Sequence, residues 1–236
     1  MVGCLLYYAG AIDGTILPAL NTIDSKQSKS TQNTKQKYIQ LLDYVSTYQN
    51  AFLRIHSSDM QLIVDRDAAY LILPYTKSRI AGYYRMGDKS FSGNCNDAPR
   101  RTPNAPILTE CKTLRHVVAS AEEAEASGLY HNAQTIFPIS TLLEALVHPQ
   151  NTTIIKSDNS AAVDFVKKTI QFKKSKSWDM CLCWLHDREL QSQFEVYWER
   201  GSKNDVNNFT KHHLIKYYCT IHSVYVHDVP TTTQKY

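Results

Sequence analysis

Three strand-like runs follow one another with no helical period between them, and that order constrains the fold more than any other feature. Met60 to Tyr70, Ile80 to Met86 and Thr113 to Ser120 read as extended segments rich in β-branched and aromatic residues. Pro74 marks the first connection, and a polar stretch with Gly93, Asn94, Asn96, Pro99 and Pro103 marks the second. Hairpin-like connections predict an antiparallel meander. The pattern then alternates: a helix with a small face (Ala124, Gly128, Ala133), ended by Pro138 with a further helix from Ile139 to Val147, then a short run at Thr152 to Lys156. Helices follow through Ala161 to Val166 and through Trp178, Cys181, Leu182 and Leu185, then a strand at Phe194 to Trp198 and a last helix from about Val206. Strands separated by helices pair in parallel, so the chain predicts a mixed sheet.

The first part reads differently. Residues 4 to 23 look helical around Pro18, Lys26 to Lys37 suits a loop, and Tyr38, Leu41, Leu42, Val45 and Tyr48 form an apolar helical stripe. The opening residues lack a basic n-region, Asp13 interrupts the apolar run and Val2 excludes myristoylation, so neither a signal peptide nor a membrane span is expected. The chain reads like the middle of a longer protein. Its 236 residues, 43% hydrophobic content and net charge of +4 suit a soluble globular protein that permits an anionic partner without demanding one. Cys4, Cys95, Cys111, Cys181, Cys183 and Cys219 contain no CxxC pair, which fits reduced thiols in the cytosol or nucleus. His212, His213 and His222 lack cysteine partners at zinc spacing, and no Walker loop, GxGxxG or Ser-His-Asp arrangement is present.

Between Ala119 and Ala126 a helix opens with Glu122, Glu123 and Glu125. Acids at a helix start are ordinarily explained by its unpaired N–H groups and dipole. In the expected topology, however, Glu125 can meet acids from the end of the first strand, the end of the fourth, and the start of the last helix. Clustered carboxylates bind hard divalent cations, and two such ions suit phosphodiester cleavage.

Four segments now carry a resemblance. Asp67-Ala68-Ala69-Tyr70, Val118 to Glu125, Ser157-Asp158-Asn159-Ser160-Ala161, and Asn204 to Lys211 ending in Phe209-Thr210-Lys211 resemble, in order and spacing, the motifs of the RNase H domain that follows reverse transcriptase in copia-type retrotransposon polyproteins. Lys174 to Met180 is similar to a fifth segment of that family. The likeness covers roughly residues 58 to 222. It implies an RNase H-like α/β fold: a five-stranded mixed sheet, three antiparallel strands then parallel crossovers, flanked by helices, with an N-terminal helical extension. It divides the chain into a thumb- or connection-like remnant of a reverse transcriptase (1–57), the RNase H-like domain (58–228) and a flexible tail (229–236).

What the resemblance implies for function is a magnesium- or manganese-dependent endonuclease, a hydrolase cutting the RNA strand of RNA–DNA hybrids with two ions. Carried over by position, Asp67, Glu125 and Asp158 are metal ligands, and Asn207 stands where the family has its fourth catalytic acid. Asp65 competes with Asp67 for the first role, because period two puts both on one strand face. Asp158 can also be read as part of a helix cap, and Glu122 and Glu123 as solvent-facing. The implied partners are the hybrid and the reverse transcriptase of the same polyprotein, with no membrane. The implied setting is cytoplasm or nucleus, in virus-like particles for an active element.

An amide at position 207 brings no negative charge. Asp205, two residues earlier, lies about 200° around a helix and points elsewhere. Cys181 stands where the family commonly has Arg. These departures predict a fold kept while cleavage is weakened, or alternatively an inactive hybrid-binding or structural module. An integrase-type member of the same superfamily fits the order of acids less well. Lys167, Lys168, Lys173, Lys174 and Lys176, with Phe172 and Trp178, form a basic run that suits the phosphates and 2′-OH groups of a hybrid, and equally a solvated loop.

Overall fold

The computed structural model describes residues 2–89, 104–167, 176–204, 206–211 and 213–228. Helices α1 (Val2–Ala11), α2 (Leu17–Asp24) and α3 (Gln32–Thr47) come first, then a short strand β1 (Ala51–Phe52). Long strands β2 (Gln61–Leu73) and β3 (Lys77–Gly87) and strand β4 (Pro106–Thr113) follow, then helix α4 (Ala121–Ala145). Strand β5 (Thr153–Ser157), helices α5 (Ser160–Val166) and α6 (Lys176–Leu190), and strand β6 (Phe194–Trp198) complete the main sheet. Helices α7 (Asn207–Thr210) and α8 (Ile215–Tyr225) and a short β7 (His227–Asp228) close the described chain, β7 pairing antiparallel with β1.

The main sheet has the order β4-β3-β2-β5-β6. β2 pairs antiparallel with β3 and β3 with β4, whereas β5 pairs parallel with β2 and β6 with β5. This is the RNase H-like arrangement expected from the sequence: a meander, then two parallel strands joined by helical crossovers.

Period two sorts β2 and β3 between two faces. Leu62, Val64, Tyr84 and Met86 pack in one core with Leu129 and Ile136 of α4, Val166 of α5, Leu185 of α6, and Ile155 and Val196 of the sheet. Leu129, Ile155 and Leu185 are completely buried, and truncating such a residue to Ala costs about 2–5 kcal/mol. On the other face Ala81 and Tyr83 pack with Val206, Phe209 and Tyr225. The N-terminal helices build a further core from Leu5, Ile16, Leu20 and Leu41 against Cys111 of β4.

Four local expectations change. The third strand ends at Thr113, where it was expected to begin. β4 is an edge strand, so it tolerates polar residues, and Pro106 sits at its first position, where no ladder N–H is needed. Val117 is exposed and Val118 anchors a small cluster with Ala68, Ile80, Leu114 and Ala124, both outside any strand. Second, Pro138 lies inside α4 rather than between two helices. It removes one helical hydrogen bond, but Ile136 and Leu143 on either side are buried in the same core and carry the helix across.

Third, the last helix is divided: α7 ends at Thr210 and α8 starts at Ile215, with Leu214 exposed at its N-cap. Fourth, residues 4 to 23 form two helices around a 3-10 turn at Gly14–Ile16, with Pro18 in the first turn of α2, where its missing N–H costs nothing. The expected loop at Lys26–Lys37 shortens accordingly, because Thr31 and Thr34 make a reciprocal capping box that starts α3 at Gln32. The polar stretch from Gly93 to Pro103, with Cys95, and the tail 229–236 lie outside the described residues. No helix among the described residues is long and apolar enough to cross a membrane.

Candidate metal centre

β2 and β5 run parallel only as far as Asp65 opposite Lys156. Beyond that point the strands part, and ligands of open α/β sheets characteristically lie in the crevice outside such strand ends. Continuing the register by two places sets Asp67 opposite Asp158, the residue that follows β5. Glu125 enters from the first turns of α4. One ligand oxygen from each of Asp67, Glu125 and Asp158 lies within 4.8 Å of the others, with Asp67 and Glu125 buried and Asp158 half-buried.

Each acid is positioned by its own element. Ser120 caps α4 by accepting the Glu123 N–H at 3.1 Å, while the Glu123 carboxylate accepts the Ala119 N–H. Glu123 thus belongs to the cap and Glu122 to solvent, leaving Glu125 to point inward. Asn159 caps α5 by accepting the Ala162 N–H at 3.0 Å, so Asp158 is free of that duty. Trp198 at the end of β6 donates its indole N–H to the Asp158 carbonyl at 3.0 Å. A Cβ on Gly201 would stand 2.9 Å from the Asp158 carboxylate, so glycine there leaves the carboxylate its space. Thr210, in α7, donates its hydroxyl to Asp67.

The electrostatics are those of crowded, desolvated carboxylates. Burial raises the Asp67 carboxyl above its ordinary range, opposed by the Thr210 hydrogen bond and the Lys211 charge and reinforced by Asp158. Burial raises Glu125 to about 7, against the Arg66 guanidinium and with help from Asp67 and Asp158. Three oxygen donors that repel one another out of water form a hard-cation donor set, without sulfur or imidazole, and fit Mg²⁺ or Mn²⁺.

Asp65 shares a strand face with Asp67 but serves different partners. Arg85 Nε donates to it at 2.9 Å and Lys156 Nζ lies 3.6 Å away, with Glu199 3.2 Å from the same ammonium. Burial alone would raise Asp65, yet these two cations hold it below the usual carboxylate range. Asn207 is the first residue of α7. Its amide NH₂ donates to the Gly201 carbonyl at 3.1 Å and the Asn204 carbonyl at 2.9 Å, and its amide oxygen accepts from Lys211 Nζ. Asp205 lies outside the described residues.

Of the basic run, Lys167 is exposed, 3.6 Å from Glu195 and 5.2 Å from the Tyr197 ring centre. Lys168, Phe172, Lys173 and Lys174 lie outside the described residues, and Lys176 is the first residue of α6. His222 is a core residue, stacked on Tyr48 at 3.8 Å, and His212 lies outside the described residues.

Sequence reasoning missed Arg66, which is completely buried and paired with Glu125. The available signal was a charged residue on the strand face shared with Leu62, Val64 and Ala68. It also assigned no role to Thr210, although the residue stood in a quoted motif.

No family model matches the chain, and no curated protein matches it. Among solved structures the chain is similar to the N-terminal RNase H domain of Rv2228c from Mycobacterium tuberculosis, solved as a fusion with maltose-binding protein. That likeness has 12% identity over 61% of this chain and 86% of the other, with a TM-score of 0.39. It is also similar to LC11-RNase H1, isolated from compost, in complex with an RNA/DNA hybrid: 10% identity, 61% and 88% of the two chains, TM-score 0.44. A third similarity is to prototype foamy virus protease–reverse transcriptase, with 11% identity over 62% of this chain and 18% of that one, TM-score 0.38.

Proposed function

We propose that this chain is the RNase H-like domain of a copia-type retrotransposon polyprotein, a metal-dependent endonuclease for the RNA strand of RNA–DNA hybrids whose cleavage is slowed by Asn207. The observation that carries this reading is the convergence of Asp67, Glu125 and Asp158 on a space 4.8 Å across, at the parting of two parallel strands. The ordered sequence motifs support it, since each of the three acids comes from a different one of them.

Divalent cations bound there would supply water activation and charge neutralisation at the scissile phosphate. The chain's own residues do the positioning. Thr210 fixes one oxygen of Asp67, Arg66 fixes one oxygen of Glu125, and Trp198 and Gly201 set the backbone and space of Asp158. Lys211, exposed beside α7, and Lys167 are cations of the kind that meet a phosphate backbone.

A second reading, an inactive hybrid-binding module, is favoured by Asn207, whose amide is occupied by local hydrogen bonds and a lysine. Cleavage of a labelled RNA–DNA hybrid by the wild type and by Asp67→Asn, with Mg²⁺ or Mn²⁺, separates the two. Slow cleavage that Asp67→Asn abolishes supports the nuclease. Hybrid binding by both proteins with cleavage by neither supports the second reading. Absence of both binding and cleavage sinks both.

A further inference from the structure

Arg66 lies between Asp65 and Asp67 on β2, facing α4 rather than the side its neighbours face. It is completely buried. Its Nη2 donates to Glu125 Oε2, and its Nη1 donates to Ser157 Oγ at 3.1 Å, the residue before Asp158. Its own carbonyl accepts from Asn204 Nδ2 at 2.8 Å, in the segment that leads to Asn207. Gly128 of α4 leaves room for it, since a Cβ there would stand 3.1 Å from Nη2. The guanidinium thus binds one ligand acid directly and the residue before another, while the Arg66 backbone carries Asp67 as its neighbour and holds Asn204. A guanidinium is a planar, delocalised cation whose several donors can serve more than one acceptor at once.

We propose that Arg66 is a resident cation of the acid cluster, standing in for one metal ion, so that the cluster binds a single divalent cation and not two. This rests on reading Asp67, Glu125 and Asp158 as metal ligands. Cation binding needs its carboxylate ligands deprotonated, and in that state the three acids carry three negative charges. Arg66 cancels one, and the two that remain match one divalent ion. A second ion would leave the pocket with an excess of two positive charges in a buried place, where like charges repel most strongly. The fourth position adds to that repulsion. Asn207 brings no charge, and its amide oxygen is held by the Lys211 ammonium. One Glu125 oxygen is likewise engaged by the guanidinium and faces a cation already.

The test is a count of Mn²⁺ bound per chain, read from the free-ion electron paramagnetic resonance signal during titration of the full chain. Four proteins are compared: wild type, Arg66→Met, which keeps the length but not the charge, Arg66→Lys, which keeps the charge, and Asp158→Asn. The wild type is expected to bind one ion that Asp158→Asn loses. Arg66→Met should bind a second and hold the first at least tenfold more tightly, while Arg66→Lys stays at one. Two ions in the wild type, or an Arg66→Met protein with wild-type stoichiometry and affinity, overturns the role given to Arg66. The wild-type count decides even if Arg66→Met does not fold. If all four proteins are alike in binding no Mn²⁺, the metal reading beneath the proposal fails, and the proposal with it.

Discussion

Asn207 Nδ2 donates to the Asn204 carbonyl at 2.9 Å, tying the first residue of α7 to the chain three residues before it. The same NH₂ reaches the Gly201 carbonyl at 3.1 Å. A carboxylate cannot donate, so Asn207→Asp would set a charged oxygen against two carbonyls. In the absence of metal we expect a loss of about 1–3 kcal/mol, the range for leaving buried polar groups unsatisfied, with Lys211 offsetting part of it. Adding Mg²⁺ should restore stability and raise hybrid cleavage above wild type. Thermal denaturation with and without Mg²⁺ checks this; a metal-free Asn207→Asp as stable as wild type would sink it.

Glu110 on β4 gives the fold an acid-sensitive contact. Burial alone would raise its carboxyl, but hydrogen bonds with His131, Lys112 and Tyr84 and the Lys112 charge bring it down to about 2. Tyr84 donates to it at 2.8 Å and Lys112 at 2.5 Å. A depressed folded-state value means the contribution is fully present above the unfolded value of 4.5 and is lost as pH falls towards 2. The shift corresponds to about 3 kcal/mol, reduced to about 1–2 kcal/mol because Lys112 is half exposed and screened by solvent. Denaturant melts at pH 6 and pH 3 should show that Glu110→Gln loses less stability on acidification than wild type. Equal losses would remove Glu110 from the account.

Helix α4 ends in a Schellman motif with the wrong residue in it. The Val147 N–H reaches the Glu144 carbonyl and the His148 N–H reaches the Leu143 carbonyl, both at 3.0 Å, with Val147 at φ 66°. A β-branched residue in the left-handed region is strained by about 1–2 kcal/mol, and Val147 is too exposed to recover that by packing. Val147→Gly should therefore stabilise the protein by about 1 kcal/mol in chemical denaturation, net of glycine's larger unfolded-state entropy. A destabilised variant would contradict the argument.

Gly82 on β3 sits under α4. A Cβ there would fall 2.3 Å from Asn132 Nδ2 and 2.8 Å from Tyr84 Cε2. Asn132 is completely buried and donates to the Tyr84 hydroxyl at 2.9 Å, so it has nowhere to retreat without breaking that bond. Gly82→Ala should cost about 1–3 kcal/mol, as overpacking does, and quench the protection of β3 amides in hydrogen exchange. Wild-type exchange would show that the helix can move away.

The strands that carry the buried centre of the sheet were legible because both their faces are covered: β2, β3 and β5 are apolar or patterned along most of their length. β4 was not, since an edge strand carrying Glu110 and Lys112 looks polar, while Val117 and Val118 imitate a strand beside it. The helix end at Val147 lacked the glycine that usually announces a C-cap. At the candidate site, the convergence of Asp67, Glu125 and Asp158 was legible from their order along the chain. Arg66 was hidden because alternation assigns a charged strand residue to solvent, and only the approach of Gly128 and Glu125 shows that an ion pair replaces apolar contact there. Thr210 bonds Asp67 across 143 residues, a relationship no local pattern can contain.

Arg79, on β3, is as deeply buried as Arg66 but answers to the N-terminal helices. Its guanidinium donates to the Pro18 carbonyl at 3.3 Å, to the Thr22 hydroxyl at 3.0 Å and to the Thr210 carbonyl at 3.4 Å. One side chain thus stitches α2 to the turn that holds Asp67. The N-terminal helices are therefore fastened to the sheet from inside, through a buried charge. A shortened chain starting at Ser58 would bare a charge built to stay dry and slacken Thr210 at the same stroke. The cost of losing this segment would thus fall on Arg79, whose donors would be left without the Pro18 and Thr22 acceptors.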